Sequence, residues 1–135
     1  MEQLGGKPCP GVGFAMGLER LTLLLDELNT VPDSVAQTVD VYIVAVGDTM
    51  LDAMVLSDML RSQCPTLRFE SHCGGGSFKS QMKKADKSGA DVAIILGEDE
   101  VNNKTGGVKY LRQEHLQETV VQSELAELLN TFFTD

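Results

Sequence analysis

Aromatic residues make up only 5% of this sequence, histidine occurs twice and cysteine three times. No apolar run approaches the length of a membrane span, about 18–20 residues. Each shortage excludes something. With so few aromatics, a sheet face built to stack unpaired bases is not expected. Cys9, Cys64 and Cys73 cannot pair completely, lie far apart and form no C-x-x-C. Reduced thiols are therefore expected, rather than a disulfide framework or a zinc site. Residues 1–7 show no basic stretch followed by an apolar core, so no signal peptide is expected and the protein reads as cytoplasmic. Nor does any serine, cysteine or carboxylate constellation suggest self-contained catalysis. The 135 residues, 42% hydrophobic and 23% charged, have room for one ordinary domain and a short appendage.

Positive charge is in short supply as well: 11 lysines and arginines stand against 20 acids, a net charge of -9. That average argues against a polyanionic partner, but a partner meets one face and not the average. Residues 61–90 hold Arg61, Arg68, Lys79, Lys83, Lys84 and Lys87 against Glu70 and Asp86, a net of +4 that leaves -13 for the remainder. Such a chain can repel nucleic acid in general while admitting it on one side.

Punctuation organises the chain. Residues 9–17 read as an extended segment of small and apolar residues. Leu18, Leu21, Leu25 and Leu28, spaced by three and four, then predict an amphipathic helix ending near Asn29. The next stretch mixes Pro32 with small and polar residues and reads as a linker, so the expected organisation is a strand and helix over 1–30, a linker over 31–38 and a domain over 39–135. Residues 41–46 are apolar on both faces, as in a buried parallel strand, and Gly47 ends it. Thr49 with Asp52 resembles a capping box; the following helix has Met50, Leu51, Met54, Val55, Met59 and Leu60 as its apolar stripe and stops at Cys64-Pro65. Residues 67–70 form a short strand. Ser77 caps a helix to about Ser88, with Phe78, Met82 and Ala85 on its apolar side, and residues 92–96 form a third strand. Two further strands, 106–112 and 118–122, precede a closing helix marked by Leu125, Leu128, Leu129, Phe132 and Phe133. This βαβαββα order predicts an α/β fold with a mixed, mostly parallel five-stranded sheet covered by helices, the last strands antiparallel.

Several motifs bear on chemistry. Gly11, Gly13 and Gly17 lack the G-x-G-x-x-G spacing and a preceding strand, so they read as close-packing positions rather than a dinucleotide loop. His72 and Cys73, adjacent in extended chain, point to opposite faces and make poor co-ligands for a metal; a structural or turn role is expected. Gly74-Gly75-Gly76-Ser77 before Phe78-Lys79 is either a flexible turn or an anion cradle at a helix N-terminus, without the Gly-Lys-Ser/Thr ending of a Walker loop. At about 100° per residue, Lys79, Lys83 and Lys87 form one stripe with Lys84 nearby. Loop and lysines can face one polyanion, or the lysines can simply keep the surface solvated.

The string Gly13-Phe14-Ala15-Met16-Gly17-Leu18-Glu19-Arg20-Leu21, with Gly5-Gly6 and Pro10-Gly11 upstream, resembles motif 3 of the bacterial histidyl-tRNA synthetase family. The remainder is similar to that family's C-terminal anticodon-binding domain, through His72-Cys73-Gly74-Gly75-Gly76-Ser77-Phe78-Lys79, Ala85-Asp86-Lys87 and Leu96-Gly97-Glu98-Asp99-Glu100-Val101. The resemblance covers essentially the whole chain. It implies a three-layer Rossmann-like anticodon-binding domain preceded by a strand-helix remnant of the catalytic domain. Motifs 1 and 2 would lie before residue 1, so the chain is expected to be a fragment, inactive alone. In the intact homodimeric enzyme, which activates histidine with ATP and magnesium and transfers it to tRNA(His), Arg20 would contact the terminal phosphate of ATP. No cofactor, metal site or membrane contact is expected of the fragment itself. Its implied partner is the anticodon arm of tRNA(His), met by Gly75, Gly76, Lys79, Lys83 and Lys87. By analogy with the threonyl relative, Glu100, three residues after Gly97, and Lys109 in the next strand would contact bases. The rival expectation is an accessory or regulatory module of the same fold that contacts no tRNA.

Overall fold

The structure, a computed structural model, describes residues 2–32, 35 and 39–134. The chain divides into two compact units, residues 1–35 and 36–135. In the first, a 3-10 turn over Glu2–Leu4 precedes helix α1, Leu18–Glu27, which buries none of its residues. Asn29 ends it in the left-handed region at φ 51°, a conformation that asparagine tolerates better than most residues. The strand expected ahead of α1 does not form among the described residues of this unit. An extended chain needs a neighbouring strand to take its N–H and C=O groups, and residues 6–17 pair with none. Gly11 and Gly13 are not close-packing positions either, since a side chain built on them would meet nothing within 4 Å.

The second unit runs β1 (Val41–Ala45), α2 (Met50–Gln63), β2 (Phe69–Ser71), α3 (Phe78–Lys87), β3 (Val92–Leu96), α4 (Glu98–Asn103), β4 (Thr105–Tyr110), β5 (Glu118–Val121) and α5 (Leu125–Thr134). Its sheet has the order β2-β1-β3-β4-β5. β1 is parallel to both neighbours, β4 is antiparallel to β3 and β5 to β4, so every strand but β4 runs one way. β1 and β3 are buried along their whole lengths, which is why both read as unbroken apolar runs. On one face Val41, Ile43, Ile94, Leu96 and Val108 pack with Leu56 and Leu60 of α2 and Leu125 and Leu129 of α5. On the other, Tyr42, Val44, Ala93 and Ile95 lie under Ala85 of α3. Three layers result, each fully buried Leu, Ile or Val contributing about 1.5–3 kcal/mol.

The structure corrects three details and adds one helix. Leu51, Met54 and Val55 of α2 are exposed; the buried stripe is Ala53, Leu56, Ser57 and Leu60. Small residues let α2 sit close to the sheet, a requirement that hydrophobicity alone does not reveal. Thr49 makes no cap; its buried hydroxyl is shared between the carbonyls of Val46 and Leu96, tying the ends of β1 and β3 together. On α3, Phe78 is exposed and the buried contact is polar Gln81. The added helix, α4, begins where the Gly97 N–H donates to Glu100 Oε2 at 2.9 Å.

Gln81 has a specific job. β2 ends early: His72 N–H takes the Ile43 carbonyl, and nothing of β2 reaches Ala45. The Gln81 side chain stands in for the missing strand, accepting from Ala45 N at 3.0 Å and donating to Ala45 O, with a further bond to Gly76 O at 3.2 Å. Helix α3 is thereby fixed over the end of β1.

Candidate nucleic-acid interface

The loop between β2 and α3 is shaped from below. Gly74, Gly75 and Gly76 all have positive φ (109°, 66° and 106°), where a side chain would be strained. Buried His72 holds the loop: its Nε2 bonds Gly75 O at 2.7 Å and its Nδ1 meets Tyr42 Oη at 3.0 Å. A carbonyl has no proton to give, so Nε2 donates and Nδ1 accepts the Tyr42 hydroxyl proton. Burial, followed by the nearby charges of Glu70 and Cys73, pushes the Tyr42 hydroxyl above its ordinary range and keeps that proton in place. Ser77 caps α3 by accepting from Ser80 N at 3.3 Å. His72 is therefore structural, as its sequence position suggested, and Cys73 beside it is exposed.

Gly75 and Gly76 lead directly into α3, on which Lys79, Lys83, Lys84 and Lys87 are all exposed. The helix's one acid, Asp86, is already engaged: Arg112, in the segment after β4, bonds its Oδ1 at 2.9 Å and its backbone carbonyl. Among the described residues, the ion pairs Arg112–Asp86 and Arg68–Asp40 involve none of these lysines. Gln81 and Ala85, buried against the sheet, fix the helix's rotation. By helix geometry Lys79, Lys83 and Lys87 lie about 20°, 60° and 100° around the axis from Asp86, and Lys84 about 160°. Gln81 and Ala85 lie about 140° and 100° from Asp86 in the opposite sense, so Lys83 points away from the sheet and Lys79 stands on the Asp86–Arg112 side.

β4 and β5 are uncovered on the α3 side. Gly106, Val108 and Tyr110 point toward α5, where a side chain on Gly106 would meet Leu125 at 3.3 Å. Alternation sends Gly107 and Lys109 to the α3 side, with Thr119 of β5 opposite Gly107. Lys109 and Thr119 are exposed and Val121 is 45% exposed. A sheet face bordered by a lysine helix can hold a polyanion through its phosphates, and with Lys109, Thr119 and Val121 but no aromatic on the face, bases there meet polar and aliphatic groups rather than stacking partners.

Glu100 lies elsewhere. The crossovers reverse direction between β1 and β3, and the crevice at that switch point is where folds of this type commonly take ligands. Here it is lined by Val46, Gly47, Gly97, Glu98, Asp99 and Glu100, an acidic set unsuited to phosphates. Glu100 is half-buried with Oε2 committed to Gly97 N. Lys109 pairs with Ala93, four residues before Gly97, or about 13 Å along the strand. The structure therefore brings Gly75, Gly76, Lys79, Lys83 and Lys87 together on one loop and helix, with the loop tied through Gln81 to Ala45 at the same sheet end as Glu100, and sets Lys109 apart on β4 toward the other end. Arg20, exposed on α1, belongs to the other unit. Sequence reasoning missed Arg112 and Gln81; neither sits in a motif, and only packing reveals what each touches.

Among the described residues no group of three or more His, Cys, Asp or Glu could hold a metal ion, and no helix is long and apolar enough to cross a membrane. Residues 40–131 match the family model described as anticodon binding domain. The whole chain is 51% identical to part of a histidine–tRNA ligase of Hydrogenovibrio crunogenus, of which it covers 32%. The chain thus spans about a third of the length of this curated relative. Among solved structures, apo S. aureus histidyl-tRNA synthetase matches at 30% identity and TM-score 0.61, over 83% of this chain and 28% of that one. Histidyl-tRNA synthetase from Nostoc sp. PCC 7120 shares the fold at 24% identity and TM-score 0.65, over 87% and 28%. The RNA binding domain of threonyl-tRNA synthetase from Cryptosporidium parvum Iowa II shares it at 10% and 0.64, over 70% and 23%.

Proposed function

Because the chain belongs to the anticodon-binding domain family and matches the C-terminal part of a histidine–tRNA ligase, we propose that it holds the anticodon arm of tRNA(His) against the open face of β4 and β5. The observation that supports this reading is the α3 lysine stripe, unpaired with acids among the described residues, beside an uncovered pair of strands. Phosphates lie on Lys79, Lys83 and Lys87 and at the backbone N–H groups after Gly75 and Gly76; bases turn toward Lys109. Glu100 reaches a base only through Oε1, because Oε2 caps α4.

The proposal extends to the whole enzyme. There residues 1–30 close the catalytic domain, residues 31–38 link it to the anticodon domain over 39–135, and Arg20 offers a planar, permanently charged fork to the terminal phosphate of ATP. Activation of histidine with ATP and magnesium, transfer to tRNA, homodimer formation and a cytoplasmic location belong to that whole protein. The described residues offer no carboxylate or histidine set for the magnesium.

The test is a titration of the full chain with the tRNA(His) anticodon stem-loop and a scrambled-loop control at two salt concentrations. Lys83→Ala is expected to weaken binding to both alike and to lower the log–log salt slope by roughly 1, since phosphates are the same in every sequence. Failure of the parent chain to bind either loop at low salt overturns the reading in favour of a module that contacts no tRNA.

A further inference from the structure

The open face carries one side chain whose position is set by what its neighbour lacks. On β4 it presents Gly107 and Lys109, and on β5 Thr119 opposite Gly107. One step beyond the last rung, Val108 with Glu118, comes Gln117, on the same face as Thr119. A side chain at position 107 would meet Gln117 Nε2 at 3.3 Å and Ile95 Cβ at 3.4 Å. The Gln117 amide therefore lies over the Gly107 backbone, which is buried. Gln117 is exposed, and among the described residues its amide has no side-chain hydrogen bond.

From this placement, and resting on the RNA-binding reading above, we infer that Gln117 is a specificity-determining residue: its exposed amide, beside Lys109, reads the edge of an unpaired anticodon-loop base. An amide offers a donor and an acceptor in one plane, the combination a base edge requires, whereas Lys109 offers donors alone. Glu100, the carboxylate suggested by analogy, has one oxygen already committed to Gly97. Charge complementarity supports RNA as the occupant. Lys109, exposed on the same face and, like Gln117, one step past the Val108–Glu118 rung, supplies the positive charge a phosphate needs beside the amide.

The experiment titrates the full chain and its Gln117→Ala variant against the tRNA(His) anticodon stem-loop and a scrambled-loop control. The expected result is a loss of roughly ten- to hundredfold in preference for the cognate loop, the effect of one good base contact. Binding to the scrambled loop, the salt slope and the urea midpoint should stay unchanged. A variant with the parent's full preference overturns the assignment of Gln117 alone, and so does a parent that binds both loops equally. A parent that binds neither overturns the RNA reading itself and this inference with it.

Discussion

Removing the Gln81 side chain is expected to cost the second unit about 3 kcal/mol of stability, an unusually large loss for a polar residue on a helix. Gln81 is 1% exposed and serves both backbone groups of Ala45, itself buried, as well as Gly76 O. In Gln81→Ala those two Ala45 groups lose their partners. Each buried unsatisfied group costs about 1–3 kcal/mol; the void adds to the loss, and water entering beside the glycine loop offsets part of it. Gln81→Leu refills the space but leaves the same groups orphaned, so it should lose about 2 kcal/mol. Gln81→Glu keeps the shape, buries a charge and turns an oxygen toward two carbonyls, so it should be worse than leucine at neutral pH and recover when acidified. Urea unfolding followed by circular dichroism measures this: at a slope of about 1.5 kcal/mol/M, the alanine variant's midpoint falls by about 2 M. Alanine and leucine variants within about 0.5 kcal/mol of the parent would refute the idea that a side chain replaces a strand here.

Two further outcomes follow from the same structure. Burial and the bond to Glu118 push the Tyr110 hydroxyl up to about 12 from an ordinary value of 10.0; the folded state holds that proton more tightly than the unfolded chain, so the stabilisation is complete below about pH 10 and is lost as pH rises through 12. Urea midpoints across this range should fall more steeply for the parent than for Tyr110→Phe, and parallel curves would count against it. In Gly97→Ala, the new methyl would stand 2.7 Å from Glu100 Oε2, expelling the carboxylate and costing about 1 kcal/mol, as loss of a helix cap does; an unchanged urea midpoint would show that this bond does not hold α4.

The fold was legible where one residue type had one reason to be present. β1 and β3 are apolar at every position because both faces are buried, and Ser77 announces α3 because an extended serine before a helix can bond its N3 N–H. Legibility failed where a residue had competing uses. α2 carries apolar residues around most of its circumference, so its pattern could not reveal that Ala53 and Ser57, not Leu51 and Val55, face the sheet. α4 has six residues and one apolar side chain, too few to show a period. The strand ahead of α1 was inferred from composition, but a strand also needs a partner. Of the candidate interface, the lysines and glycines were visible because helical spacing and backbone freedom are local properties. Gln117 and Arg112 were not, since each acts on a residue far along the chain or across a ladder.

The sheet end where β1 and β3 finish carries both an acidic rim and the start of the lysine helix, and this pairing sets a condition on approach. Asp48, Glu98, Asp99 and Glu100 crowd that end, while the Gly74–Gly76 loop and the start of α3 are tied to it through Gln81 and Ala45. To a diffusing phosphate chain the acidic rim acts as a wall and the lysine helix as a rail. The two fields reach about 10 Å at 0.1 M salt, so under the proposed RNA reading a loop is repelled along the acidic rim and drawn along α3. Encounters that survive are already aligned along α3. Under that reading, selection against misplaced docking acts on arrival rather than departure, and the acids elsewhere on the surface discourage polyanions away from α3.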